Sequence, residues 1–167
     1  MLESGQLLPT DARSGRLVKL FPLAGQDKIG AMAPVLVSLH RPVHFARADL
    51  NADQRADFVV AEFGRYLGRL TLFESTAHGG YRRQVLIDRP GATRVVVTDL
   101  TDDGRPDIVV LMAQGDEGIF LLENQGNSQF EVQPLVQFPP AFGTEVVPSA
   151  WKVRADITAV RERTAYE

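Results

Sequence analysis

Apolar residues in this chain come in short bursts of five to seven, rich in Val, Phe, Leu and Thr. Fourteen Gly and ten Pro interrupt the sequence too often for long helices. Such bursts predict β-strands. They fall at 43–48, 57–61, 69–73 and 82–87, and again at 94–98, 107–111, 119–122 and 130–136. The runs Phe58, Val59, Val60 and Ile108, Val109, Val110, Leu111 have no polar interruption, the pattern of a strand buried on both faces. The class read from this pattern is all-β.

The bursts are organised as an internal repeat. DLNADQRADFVV from Asp49 and DLTDDGRPDIVV from Asp99 agree at seven of twelve positions, 50 residues apart. Downstream, Gly68 and Gly118 each lie 11 residues past the last aspartate of the motif. The runs GRLTLF and GIFLLE follow, then GGYRRQVLI and NSQFEVQPLV. Four short strands per unit of about fifty residues predict a four-stranded antiparallel blade of a β-propeller. The chain then divides into an N-terminal segment at 1–40, a remnant of a preceding blade with a strand at 16–23; repeat 1 at 41–90; repeat 2 at 91–141; and a tail at 142–167. Repeat arrays need three or more units for stability and propellers four to eight blades to close, so two units predict an incomplete propeller.

Charge adds the first chemical clue. The net charge of -3 leaves no basic field for nucleic acid, and no run of 18 apolar residues exists for membrane insertion. The windows 49–57 and 99–107 hold seven aspartates against two arginines; elsewhere 16 bases face 14 acids. The acidity therefore sits in two loops. With zero cysteines, thiolate metal sites, disulfides and Cys nucleophiles are excluded.

Oxygen ligands at loop positions 1, 3, 5 and 9, with a backbone carbonyl at 7, converge on one point and suit a hard cation taking six to eight oxygens, calcium above others. Loop 2 offers Asp99, Thr101, Asp103, the Arg105 carbonyl and Asp107, with Gly104 at the sharp turn. Loop 1 offers Asp49, Asn51, Asp53, the Arg55 carbonyl and Asp57. The motif starts like an EF-hand but ends differently: position 12 is Val60 or Val110 inside a strand, where an EF-hand needs a bidentate Glu. The plainer alternative is an Asp-rich turn whose carboxylates bond backbone N–H groups; two loops at a fixed period favour calcium, in a structural role. Gln54 in place of Gly lowers the affinity expected of loop 1, Thr101 brings a neutral hydroxyl, and Asp102 is expected to face solvent.

D-x-[DN]-x-D-G-x-x-D followed directly by an apolar strand resembles the FG-GAP or VCBS repeat, the blade of the integrin alpha N-terminal propeller. The resemblance covers about residues 40–140, and the pairs Phe63–Gly64 and Phe142–Gly143 are similar to the Phe-Gly that names the family. It implies one calcium ion per loop, a protein or carbohydrate ligand, and an extracellular, periplasmic or cell-surface location, although no signal peptide is visible. The function expected is a non-catalytic calcium-binding module for binding or adhesion within a larger propeller; the alternative is a propeller segment of a larger extracytoplasmic enzyme, a lyase, hydrolase or cytochrome-fused protein. Exposed blade faces would favour self-association.

Other residues offer less. His40, His44 and His78 are expected to be surface imidazoles, and Arg82, Arg83, Arg161 and Arg163 to face solvent. Tyr66, Tyr81 and Trp151 could line a carbohydrate surface or pack a blade. No nucleophile elbow and no phosphate loop occurs. A third aspartate loop is due near Ser149, where SAWKVRADITAV stands instead. Residues 143–167 are therefore expected not to be authentic repeat but the product of truncation or a frame change; the alternative is a divergent third blade or a capping segment.

Overall fold

The computed structural model describes residues 2–4, 13–22, 29–64, 66–115 and 117–138. Eleven strands and no helix occur among them: β1 (Leu2–Ser4), β2 (Arg13–Pro22), β3 (Ile29–His40), β4 (Pro42–Ala48), β5 (Asp57–Glu62), β6 (Arg69–Ser75), β7 (Tyr81–Ile87), β8 (Ala92–Thr98), β9 (Asp107–Met112), β10 (Gly118–Gly126) and β11 (Gln129–Gln137). No helix long and apolar enough to cross a membrane is therefore present among the described residues.

The strands pair antiparallel in three sheets ordered β1-β2-β3, β4-β5-β6-β7 and β8-β9-β10-β11. The two four-stranded meanders are propeller blades, each made by one repeat, and the sheets do not close into a ring. β5 and β9 are buried at every position, which is why both read as uninterrupted apolar runs. The described residues of the first 40 supply two long strands and one short one, with no aspartate loop among them. The segment beyond residue 138, with Phe142–Gly143, Ser149 and Trp151, lies outside the described residues.

The repeat extends to backbone irregularities. The ladder between the first two strands slips at one place in both blades, between Pro42 and His44 and between Ala92 and Arg94, leaving Val43 and Thr93 as the extra residues of a bulge. A second slip recurs opposite Leu86 and Leu135. The pairings Ala61↔Leu70 and Leu111↔Ile119 correct one detail of the sequence match: Gly118 stands where Arg69 stands, not where Gly68 does. The connection after the second strand is one residue shorter in repeat 2. The two glycines serve different contacts, since a Cβ at Gly68 would sit 2.2 Å from the Gly64 carbonyl oxygen and one at Gly118 2.4 Å from that of Val136.

Three apolar clusters hold the sheets. The largest lies between the blades and joins Val59, Leu70 and Leu72 of blade 1 to Val95, Ile108, Val110 and Leu122 of blade 2. On the other side of blade 1, Phe58, Val60 and Phe73 pack on Leu17, Leu36 and Leu39 of the N-terminal sheet. The outer face of blade 2 carries a third cluster around Val109, Leu111, Ile119 and Leu121. Blade 1 thus buries both faces and blade 2 one face against a neighbour, the mode in which propellers and other repeat arrays gain stability.

Candidate functional site

The two aspartate loops occupy equivalent places, joining the first strand of a blade to the second: residues 49–56 between β4 and β5, and 99–106 between β8 and β9. Their internal bonding is nearly the same. The first carboxylate closes the turn, Asp49 accepting the N–H groups of Asp53 (3.1 Å) and Gln54 (2.7 Å), and Asp99 those of Asp103 (3.2 Å) and Gly104 (3.0 Å). Asp53 and Asp103 each accept the N–H two residues on at 2.8 Å and pair with the Arg55 or Arg105 guanidinium. The backbone is left-handed at Ala52 (φ 62°) and Gln54 (φ 65°) in loop 1, and at Asp102 (φ 57°) and Gly104 (φ 83°) in loop 2. Gln54 therefore does occupy the conformation that glycine adopts with least steric cost.

The last aspartate of each loop is 0% exposed. Asp57 accepts the Leu50 N–H at 3.0 Å and the Ser75 N–H at 2.8 Å. Asp107 accepts from the N–H groups of Leu100 (2.9 Å), Thr101 (3.1 Å) and Asn124 (2.8 Å). Each carboxylate thereby ties its loop to the third strand of its own blade. At position 3 the loops differ. Asn51 donates to Asp53 at 3.0 Å and accepts the Asp53 N–H at 3.1 Å, whereas the Thr101 hydroxyl turns inward and donates to Asp107 at 3.2 Å.

Electrostatics separates the buried position of loop 1 from an ordinary turn. Burial pushes the Asp57 carboxyl above its usual value; the Ser75 and Leu50 N–H groups oppose that shift, and the nearby charges of Asp53 and Glu74 add to it. Glu74, at the end of β6, was not foreseen from the sequence. Burial alone would raise its pKa, yet the Ser128 hydroxyl (2.5 Å) and Arg82 (2.8 and 2.9 Å) hold the carboxyl below its usual range. Ser128 belongs to blade 2, so Glu74 links the third strand of blade 1 to the neighbouring blade. Asn124 forms a second link, donating to the Leu50 carbonyl at 2.9 Å.

The histidine expectation needs correction. His40 is 3% exposed, because the end of β3 folds against blade 1, where its N–H donates to the buried Glu62 at 2.5 Å. His44 is half-buried between blades, its Nδ1 accepting the Val95 N–H at 3.4 Å; only His78 is at the surface as expected. Arg83 is likewise not simply solvated, reaching Glu62 at 3.2 Å. Glu62 could have been noticed as an acid ending the apolar run DFVVAE, a place where a carboxylate needs partners.

As a cation site, the donor set is oxygen only and carries its carboxylates at positions 1, 5 and 9, the chemistry of a hard ion. The fixed Asp49, Asp57, Asp99 and Asp107 carboxylates retain acceptor capacity beyond their backbone bonds. In the arrangement described, however, those bonds and the Arg55 and Arg105 pairs hold the carboxylates apart. No three His, Asp or Glu side chains gather as a metal-ligating group among the described residues. Arg105 is held a second time, its Nε donating to the Asn124 carbonyl at 2.6 Å.

Comparison with known proteins finds a family likeness over the stretch that holds both loops. The model of the FG-GAP-like repeat matches residues 49–110, from the first aspartate of loop 1 through loop 2 and into β9. No curated protein and no solved structure matches the chain.

Proposed function

We propose that this chain, whose residues 49–110 are FG-GAP-like repeat sequence, is a calcium-binding module that serves binding or adhesion rather than catalysis. The observation that carries the reading is the duplication of one polar scaffold: two loops 50 residues apart share the same first, fifth and ninth carboxylates, the same turn-closing bonds and the same left-handed positions. Asp99, Thr101, Asp103, the Arg105 carbonyl and Asp107 hold the ion in loop 2; Asp49, Asn51, Asp53, the Arg55 carbonyl and Asp57 hold it in loop 1. A bound cation offsets the carboxylate repulsion around Asp57 and fixes the loop against the third strand of its blade. Three ligand carboxylates per loop, one of them paired with an arginine, give weak sites, suited to the calcium-rich surroundings outside a cell or in a periplasm. The partner would be a protein or a carbohydrate.

A calorimetric calcium titration of the purified chain tests this. Two sites are expected, with Asp103→Ala abolishing the tighter and Asp53→Ala the weaker. These positions are preferred because they leave the buried bonds of Asp57 and Asp107 intact. Absence of binding at millimolar calcium, or an Asp103→Ala chain that titrates like the parent, overturns the proposal.

A further inference from the structure

A cleft of about 620 Å³ opens between the N-terminal sheet and blade 1, within the size range of small-ligand sites. Aromatic rings form much of its wall. Phe58 stands 6.0 Å from Phe45 and meets Tyr81 edge-on at 5.5 Å. Cations rim it: Lys19 from β2, Arg47 from β4 and Arg55 from loop 1 all line the cleft, and no carboxylate does. Arg55 is held by Asp53 and Lys19 lies over the Phe21 ring, whereas Arg47 is exposed with no ion pair among the described residues. Ser75 also lines the space, and its hydroxyl oxygen is buried with no hydrogen-bond partner. The cleft thus holds an Arg47 charge that no carboxylate of the described residues neutralises, a place that a ligand's acidic end suits.

We infer that this cleft binds a small aromatic monocarboxylate, its ring against Phe45, Phe58 and Tyr81 and its carboxylate toward Arg47 and Lys19. The class follows from the wall and rim together. A wall of three tilted and edge-on aromatic rings favours a flat apolar body, and an unpaired guanidinium favours a carboxylate, which it can engage through two parallel N–H bonds. A neutral ligand of the same shape forgoes the second term, and a cationic one is repelled by the rim. The inference does not rest on calcium, since the cleft is formed with Asp53 still engaged by Arg55.

The test is an NMR titration of the full chain, in chelator so that calcium takes no part, with 2-naphthoate and with its neutral counterpart 2-naphthalenemethanol. Saturable binding of naphthoate is expected, with amide shifts in β2, β4 and the start of β7, and with the alcohol roughly tenfold or more weaker. Arg47→Gln should weaken naphthoate by about tenfold, the effect of one charge-assisted hydrogen bond, while leaving the alcohol unchanged. Arg47 is exposed on β4, and the dispersion of the variant's own spectrum verifies its fold. No saturable binding, equal affinity for acid and alcohol, shifts that map elsewhere, or an Arg47→Gln chain that binds naphthoate as the parent does would each overturn the inference.

Discussion

Gln54 and Gly104 stand at the same place in two nearly identical turns, and both are left-handed. An L-residue pays about 1–2 kcal/mol for that conformation, while glycine costs a little more when the chain is ordered. Gln54→Gly should therefore raise stability by about 0.5–1 kcal/mol, read as a shift in the urea midpoint. Gly104→Ala should lower it by a similar amount. Nothing lies within 4 Å of where that Cβ would stand, so the loss isolates backbone conformation from crowding. Asp107 makes a different point. It accepts three backbone N–H groups from a fully buried position, and removing its carboxylate leaves those donors unpaired at about 1–3 kcal/mol for each that stays buried. Asp107→Ala should thus cost at least about 3 kcal/mol in chelator, with no metal involved. Asp107→Asn, which keeps one acceptor oxygen, should cost less; equal losses would show that the buried bonds are not what Asp107 supplies. These roles were half legible in the sequence. The motif marks the aspartates as a group, but their spacing cannot tell a carboxylate turned to backbone N–H groups from one turned to an ion, since both uses need the same residues.

Among the elements, the strands of the two repeats were legible to within two residues of their ends, except that β10 runs to Gly126, four residues past the expected 122, because an apolar run marks only the buried part of a strand. The one-residue shift at Gly118 was not legible. A glycine recurs at the same distance from the motif in both repeats, and only strand pairing reveals that the second connection is shorter. The contacts between blades were hidden for a related reason: they join residues about 44 to 74 positions apart, across elements whose orientation no local pattern records. His44 is the clearest case. Burial first, and then the charge of Arg94, hold its pKa below the ordinary value of 6.5, so the folded chain keeps the imidazole neutral where the unfolded chain protonates it. The stability this contributes is complete above pH about 6.5 and is lost as pH falls from there toward the lower folded value. Between pH 7.5 and 5.5 the urea midpoint of the parent should fall, and that of His44→Asn should fall less. Equal slopes would show that His44 is not the group responsible.

At the scale of the whole molecule, the largest apolar cluster belongs to both blades at once, so neither four-stranded sheet has a complete core alone. Unfolding of the described blades is accordingly expected to be one event and not two. The sequence disclosed this in outline, since two units that each need a neighbour imply a shared interior. The strand expected at 16–23 lies largely within β2, but the sequence did not disclose that β3 would join it in a sheet covering the other side of blade 1, because Ile29–His40 carries no motif. The loops sit on these same blades, and each ties the entry of its second strand to its third. An ion that binds only the folded loops therefore stabilises the joint unit by mass action, by about 2.7 kcal/mol for one site at a hundredfold excess over Kd. The most direct measurement is a thermal melt of the full chain followed by circular dichroism, in excess calcium and in chelator. The expected result is a single cooperative β-type transition whose midpoint rises with calcium. A midpoint indifferent to the metal would contradict the account and leave the aspartate loops as turns closed by their own backbone bonds.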